Sequence, residues 1–155
     1  MNRMFFVLGL LVLPQLGGCA LVQFSKRVEP PMVDVTRVTL AEQSEEGVVV
    51  HAMIRVQNPN DVPLPLVASE YMMLLDPNHS FTFDDKLQQM LAAKGIQELR
   101  LSAAFATKGQ AVAEATYHIR GSVRYEPPGQ IRRILTDSGI PLPAVAYSAT
   151  GQLAP

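Results

Sequence analysis

"VVVHAMIRVQNPN", Val48 to Asn60, alternates strictly and then stops at a turn that no ladder can continue. Val48, Val50, Ala52, Ile54 and Val56 fall on one side, with His51, Arg55 and Gln57 on the other. A period of two, rich in β-branched residues, belongs to a half-buried strand with one face on a core and one in water. Asn58-Pro59-Asn60 then ends the strand. Pro59 fixes its own φ and holds Asn58 extended, while each asparagine amide can bond nearby backbone groups.

The same test succeeds further along the chain. In "IQELRLSAAF" (96–105), Leu99, Leu101, Ala103 and Phe105 oppose Glu98, Arg100 and Ser102. In "ATYHIRGSVRY" (115–125), Tyr117, Ile119, Val123 and Tyr125 oppose Thr116, His118, Arg120, Ser122 and Arg124. In "MVDVTRVTL" (32–40) the apolar parity changes between Val33/Val35 and Val38/Leu40, which predicts a bulge near Thr36 or Arg37, because one extra residue reverses the facing. Val67, Tyr71, Met73 and Leu75 mark another strand, ending at the turn former Asp76-Pro77-Asn78. The prolines before it, Pro63 and Pro65, are expected to keep that stretch out of a central ladder.

Two segments are helical candidates. "SFTF" (80–83) begins a strand and Lys94-Gly95 suits a reversal. Between them, Asp84 to Ala93 reads either as strand and turn or as a short helix with Leu87, Met90 and Leu91 on one stripe. Pro127-Pro128-Gly129 introduces "QIRRILTDSG" (130–139), where Ile131, Ile134 and Leu135 share a helical face and Gly139 occupies the C-terminal cap. This helix is expected to cover one end or edge of the sheets. "IPLPAVAYSATGQL" (140–153) supplies a last strand that its prolines restrict to an edge. About seven short strands and one short helix make an all-β, antiparallel β-sandwich.

Taken with "VVVHAMIRV", the following "VASEYMMLL", and the late "TYHIRGSVRY", "IPLP" and "ATGQL", the Asn-Pro-Asn motif of Asn58, Pro59 and Asn60 closely resembles the type 2 late embryogenesis abundant proteins. Their shared unit is the water stress and hypersensitive response (WHy) domain. The resemblance spans roughly Pro31 to Leu153, although the clear helix here follows the "YHIRG" strand rather than preceding it. It implies an immunoglobulin-like or fibronectin III-like sandwich and an association with desiccation, osmotic or other stress, through non-enzymatic protection of proteins or membranes.

The N-terminal region concerns location. Arg3 is the only charge before Lys26, Met4 to Leu13 are apolar apart from Gly9, and Pro14 precedes the small residues Gly17 and Gly18. This is the pattern of an export signal, and the run is far short of the roughly 20 residues a membrane-crossing helix needs. Leu16-Gly17-Gly18-Cys19 contains the only cysteine in 155 residues. It looks like the lipobox of bacterial lipoproteins, which implies diacylglyceryl attachment at Cys19, cleavage before it and acylation of the new amine. Two or more chains make such attachment effectively permanent, each buried CH₂ contributing about 0.8 kcal/mol. The expected organisation is a removed signal at 1–18, a lipidated N-terminus and tether at 19–31, and a WHy-type sandwich at 32–153. Ala20, a residue other than Asp after the cysteine, implies sorting to the outer membrane, facing the periplasm, in a Gram-negative bacterium.

Composition excludes some roles. The chain has 13 Lys plus Arg against 14 Asp plus Glu. Loss of Arg3 with the signal leaves 12 against 14, with no basic excess to attract nucleic acid. With one cysteine there is no internal disulfide, so stability must come from apolar packing. His51, His79 and His118 lack metal-ligand spacing, Ser69 and Ser102 lack a nucleophile elbow, and no glycine-rich phosphate loop is present. Asp84-Asp85 reads as an ordinary acidic turn or helix start. No enzymatic activity, cofactor, metal or small-molecule substrate is expected.

One surface group has chemistry to offer. His118, Arg120 and Arg124 on one strand face, with Arg132 and Arg133 on the helix, could meet anionic headgroups or lipopolysaccharide phosphates. Flanked by Glu114 and Glu126, they read more plainly as a solvated face. The expected partners are the membrane, through the anchor, and client or envelope proteins. The alternative function is assembly of an envelope complex through a sandwich edge or the Pro-rich loop Asp61 to Leu66.

Overall fold

A computed structural model of the chain describes residues 28–153, except 77, 109–111 and 113. Its elements run β1 (Met32–Gln43), β2 (Val48–Gln57), β3 (Leu64–Leu75), β4 (His79–Leu91), β5 (Ile96–Phe105), β6 (Thr116–Tyr125), α1 (Gln130–Asp137) and β7 (Ala144–Gln152). Three strands form one sheet in the order β1-β2-β5, and four form a second in the order β4-β3-β6-β7. Every pairing is antiparallel. Because β5 returns to β2 and β6 to β3, the chain crosses between sheets in Greek-key fashion, as in the immunoglobulin and fibronectin III class. At the sides, β4 lies beside β5 and β1 beside β7.

The alternation seen in the sequence accounts for the core. Val50, Ala52, Ile54 and Val56 of β2 are completely buried, and β5 pairs with β2 in unbroken register from Val48↔Phe105 to Gln57↔Ile96. Facing them are Met73 and Leu75 of β3 and Ile119 and Val123 of β6, also completely buried. Each large aliphatic withdrawn from water contributes about 1.5–3 kcal/mol, offsetting the entropy of ordering the chain. The bulge expected in β1 falls between Val35 and Arg37, with a second between Leu40 and Glu42. The first one lets Val33, Val35, Val38 and Leu40 all reach the core despite their change of parity.

Three local features differ from, or decide between, the sequence readings. Residues 84–91 continue β4 as a strand, so the helix option fails there. Ladder bonds to β3 and the burial of Leu91 outweigh the weak helical stripe. Pro65, expected outside a central ladder, lies inside β3, the strand between β4 and β6. It fits because the β3–β6 register begins only at Leu66↔Tyr125. The Pro65 carbonyl accepts from the Glu126 N–H at 2.9 Å, and the edge that lacks an N–H faces the region beyond the end of β6. Finally, α1 does not cover the sandwich. None of its residues is buried, and Ile131 and Ile134 are 49% and 58% exposed. Its amphipathic stripe is real, but Ile131 and Ile134 are turned to solvent and only Leu135 is half-buried. Gly139, at φ 64°, closes the helix as the sequence predicts, with Gly139 N–H on the Thr136 carbonyl and Ile140 N–H on the Leu135 carbonyl.

The strands give the sandwich two ends. One end gathers residues 28–31, the β2–β3 loop with Asn60, the β4–β5 turn and the segment containing α1. The opposite end gathers the β1–β2 hairpin at Gly47, the β3–β4 turn and the β5–β6 connection.

Candidate functional site

The densest polar cluster lies at the Asn60 end. Asn58 is 1% exposed and Asn60 8%, so each amide must find partners within the protein. Asn58 Nδ2 donates to the carbonyls of Val62 at 2.8 Å, Ala92 at 2.9 Å and, at the limit, Leu91 at 3.4 Å. Its Oδ1 accepts from Asn60 N–H at 2.9 Å, an Asx turn, and from Asn60 Nδ2 at 2.9 Å. The Asn60 amide in turn clasps the backbone of Glu29. Nδ2 donates to the Glu29 carbonyl at 2.8 Å, and Oδ1 accepts the Glu29 N–H at 2.8 Å.

Lys94 closes the knot from the β4–β5 turn. Its Nζ donates to the Pro59 carbonyl at 2.6 Å and pairs with Asp61 at 3.4 Å, while its backbone N–H reaches the Asn60 carbonyl. The backbone N–H of Asn58 donates to the Gly95 carbonyl at 2.9 Å. Two asparagines therefore tie three chain segments together: the β2–β3 loop, the β4–β5 turn and residues 28–31. In the sequence, Asn58-Pro59-Asn60 was legible as a local turn. Its grip on Glu29 and Lys94 was not, because those partners lie about 30 residues away in either direction.

The four-stranded sheet contains a second arrangement that sequence reading missed. Tyr71, Gly121 and Tyr147 stand in one cross-strand row on β3, β6 and β7. A Cβ at Gly121 would come within 2.5 Å of both the Glu70 carbonyl and the Tyr147 hydroxyl. The glycine thus gives Tyr147 its place in the core. Burial pushes the Tyr147 phenol up to about 12, the neighbouring Ser69 pulling the other way. The two hydroxyls nevertheless lie outside hydrogen-bond geometry. Tyr71 is better served: its hydroxyl donates to the Ser102 carbonyl at 2.6 Å, linking β3 to edge strand β5 of the other sheet. Its ring packs with Phe81 and Phe83, and Phe81 meets Phe105 edge-on.

The expected basic group is brought together only in part. His118, Arg120 and Arg124 share the outer face of β6. His118 Nδ1 contacts Thr150 Oγ1 at 2.7 Å, Arg120 rests against the Met72 sulfur at 3.5 Å, and Arg124 pairs with Glu70 at 2.9 Å. Arg132 turns back to Glu126 at 3.1 Å, and Arg133 forms no ion pair among the described residues. Two of the four arginines are thus locally neutralised. The depression above Gly121, rimmed by Glu70, Arg120 and Ser148, is shallow and open. Among the described residues no three His, Cys, Asp or Glu side chains gather as a metal site, and no helix is long and apolar enough to cross a membrane. Leu16, Gly17, Gly18 and Cys19 lie outside the described residues.

The sandwich can be set beside solved structures. One described as a late embryogenesis abundant (LEA) protein, At2g46140.1, matches at a TM-score of 0.60 and 15% identity, over 84% of this chain and 75% of that one. The chain shares this fold. AT1g01470 from Arabidopsis thaliana matches equally, at 0.60 and 15% identity over 81% and 82%. A protein described as ApaA, from Bordetella pertussis, is more distant at 0.52 and 14% identity over 82% and 96%. No family model and no curated protein matches the sequence, so the likeness lies in the fold.

Proposed function

We propose that this protein is a lipid-anchored envelope lipoprotein whose LEA-like sandwich protects proteins or membranes during desiccation or osmotic stress, without enzymatic turnover. The observation that carries the reading is the shared fold with a protein described as late embryogenesis abundant, joined to the Asn-Pro-Asn knot. The anchor rests on Leu16-Gly17-Gly18-Cys19.

Two measurements test it. A deletion strain should survive drying and osmotic upshift less well than its parent, and the purified protein should preserve the activity of a labile enzyme through drying. Unchanged survival together with no protection in vitro would reject the stress role. A stoichiometric envelope protein recovered by crosslinking in cells would favour assembly instead.

A further inference from the structure

Eight large apolar side chains stand exposed among the described residues, and seven of them lie at the Asn60 end. Met32 and Ile96, 49% and 60% exposed, both sit opposite Gln57, so they stand on the outer face of the three-stranded sheet at its last register positions. Val62 lies in the β2–β3 loop, and Met90, 61% exposed, stands opposite Pro65 at the start of the β3–β4 ladder. Ile131, Ile134 and Ile140 project from α1 and its cap. Only Phe83, in mid-strand, lies elsewhere. Exposed apolar side chains gathered at one end of a domain make that end a candidate interaction surface.

The same end receives the N-terminal segment. Glu29 is held by Asn60, and Pro31 is fully buried, so the chain that precedes residue 28 joins the domain here. That segment carries Lys26 and Arg27 next to the domain and Cys19 seven residues further back. The opposite end carries exposed Glu42, Glu45, Glu46 and Glu114 against Lys108, an acidic excess that an anionic leaflet repels, whereas at the Asn60 end Asp61 and Glu126 are paired with Lys94 and Arg132. Apolar side chains at one end, an acidic cluster at the other and the tether on the apolar side impose a polarity on the molecule.

We infer that the Asn60 end is a membrane-contacting tip, with Ile131 and Ile134 of α1 and Ile96 of β5 seated in the headgroup boundary of an anionic phospholipid bilayer. This rests on the anchored reading above. It explains why α1 keeps Ile131 and Ile134 exposed while only Leu135 is half-buried: an amphipathic helix can lie in the interface plane with its exposed apolar side chains among the acyl chains. The knot at Asn58 and Asn60 then fixes the angle at which the tethered domain meets the surface.

The test uses the full chain in native membranes. If Cys19 is thioether-linked, a cysteine introduced at Ile134, Ile96 or Glu45 is the only free thiol, and the parent chain takes no label. An environment-sensitive dye at Ile134→Cys or Ile96→Cys is expected to resist aqueous iodide several-fold better than one at Glu45→Cys, which lies ~30 Å away along the strands. The same dyes should be quenched by doxyl-labelled phospholipid. In the Ile131→Ser/Ile134→Ser chain, iodide access at position 96 should rise towards that at position 45. Equal iodide access at both ends of a membrane-held protein overturns the tip and leaves the anchor standing. Shielding at 134 without doxyl quenching overturns it too, in favour of a protein covering. A parent chain that labels at Cys19, or that is missing from the membrane fraction, overturns the anchor and the tip with it.

Discussion

Asn58 holds two well-formed donor bonds to loop carbonyls with an amide nitrogen that no other small side chain can replace. Asn58→Ala should cost ~1–3 kcal/mol, because it empties a fully buried site and leaves the part-buried Val62 and Ala92 carbonyls without their donor. Asn58→Asp should cost more, since an acceptor then faces acceptors. Urea unfolding midpoints at constant m-value measure both, and an Asn58→Asp variant as stable as the parent would contradict the knot. Tyr147 makes the opposite case. Its buried hydroxyl lacks a properly formed partner, so Tyr147→Phe should be neutral or slightly stabilising at pH 7. Its folded pKa, raised to about 12 from the ordinary 10, means that the neutral phenol is favoured by the fold. The stability this contributes is complete below pH 10 and is lost as pH rises towards 12. Thermal midpoints measured from pH 8 to 12 should therefore fall less steeply in Tyr147→Phe.

At the scale of elements, strand and helix obey different rules. The strands were legible because each buries one face, and burial forces the period of two that β2, β5 and β6 display. The bulge in β1 was legible for the same reason, since its change of parity has no other cheap explanation. Residues 84–91 were ambiguous because β4 is an edge strand, largely exposed, whose sequence is under little pressure to alternate. The helix was recognisable from its caps, but its place was not, because an apolar stripe does not say what it meets. Since Ile131 and Ile134 touch no core, Ile131→Ser/Ile134→Ser should change stability by no more than ~0.5 kcal/mol. Gly121 needs a register to be understood. Gly121→Ala should cost ~1–3 kcal/mol by driving a methyl into the Glu70 carbonyl and the Tyr147 ring, readable as a lowered thermal midpoint. Asn60→Ala should free residues 28–31 before it unfolds the sandwich, visible as faster amide exchange at Glu29.

At the scale of the whole molecule, one face of the Asn58–Asn60 knot looks to the core and the other to the incoming N-terminal segment. On the proposed anchored reading, Cys19→Ala should release the protein from the membrane fraction while its unfolding transition stays unchanged, because among the described residues the core is complete from Val28 onward. Fractionation and thermal melting check the two halves of that statement. By itself the sequence determined the all-β class, the main strand faces, the β1 bulge, the Asn-Pro-Asn stop and the helix cap. Each of these follows from local sterics or from the demand that one side of a strand leave water. Tertiary structure alone decided that Pro65 could enter a central strand, that Asn60 reaches Glu29, and that Tyr147 stands over Gly121. It also decided that α1 turns Ile131 and Ile134 to solvent at the same end as five other exposed apolar residues in neighbouring loops and strand ends, gathering the apolar surface there. Those outcomes depend on which distant segments become neighbours, and that is fixed by the packing of the two sheets rather than by any stretch of chain.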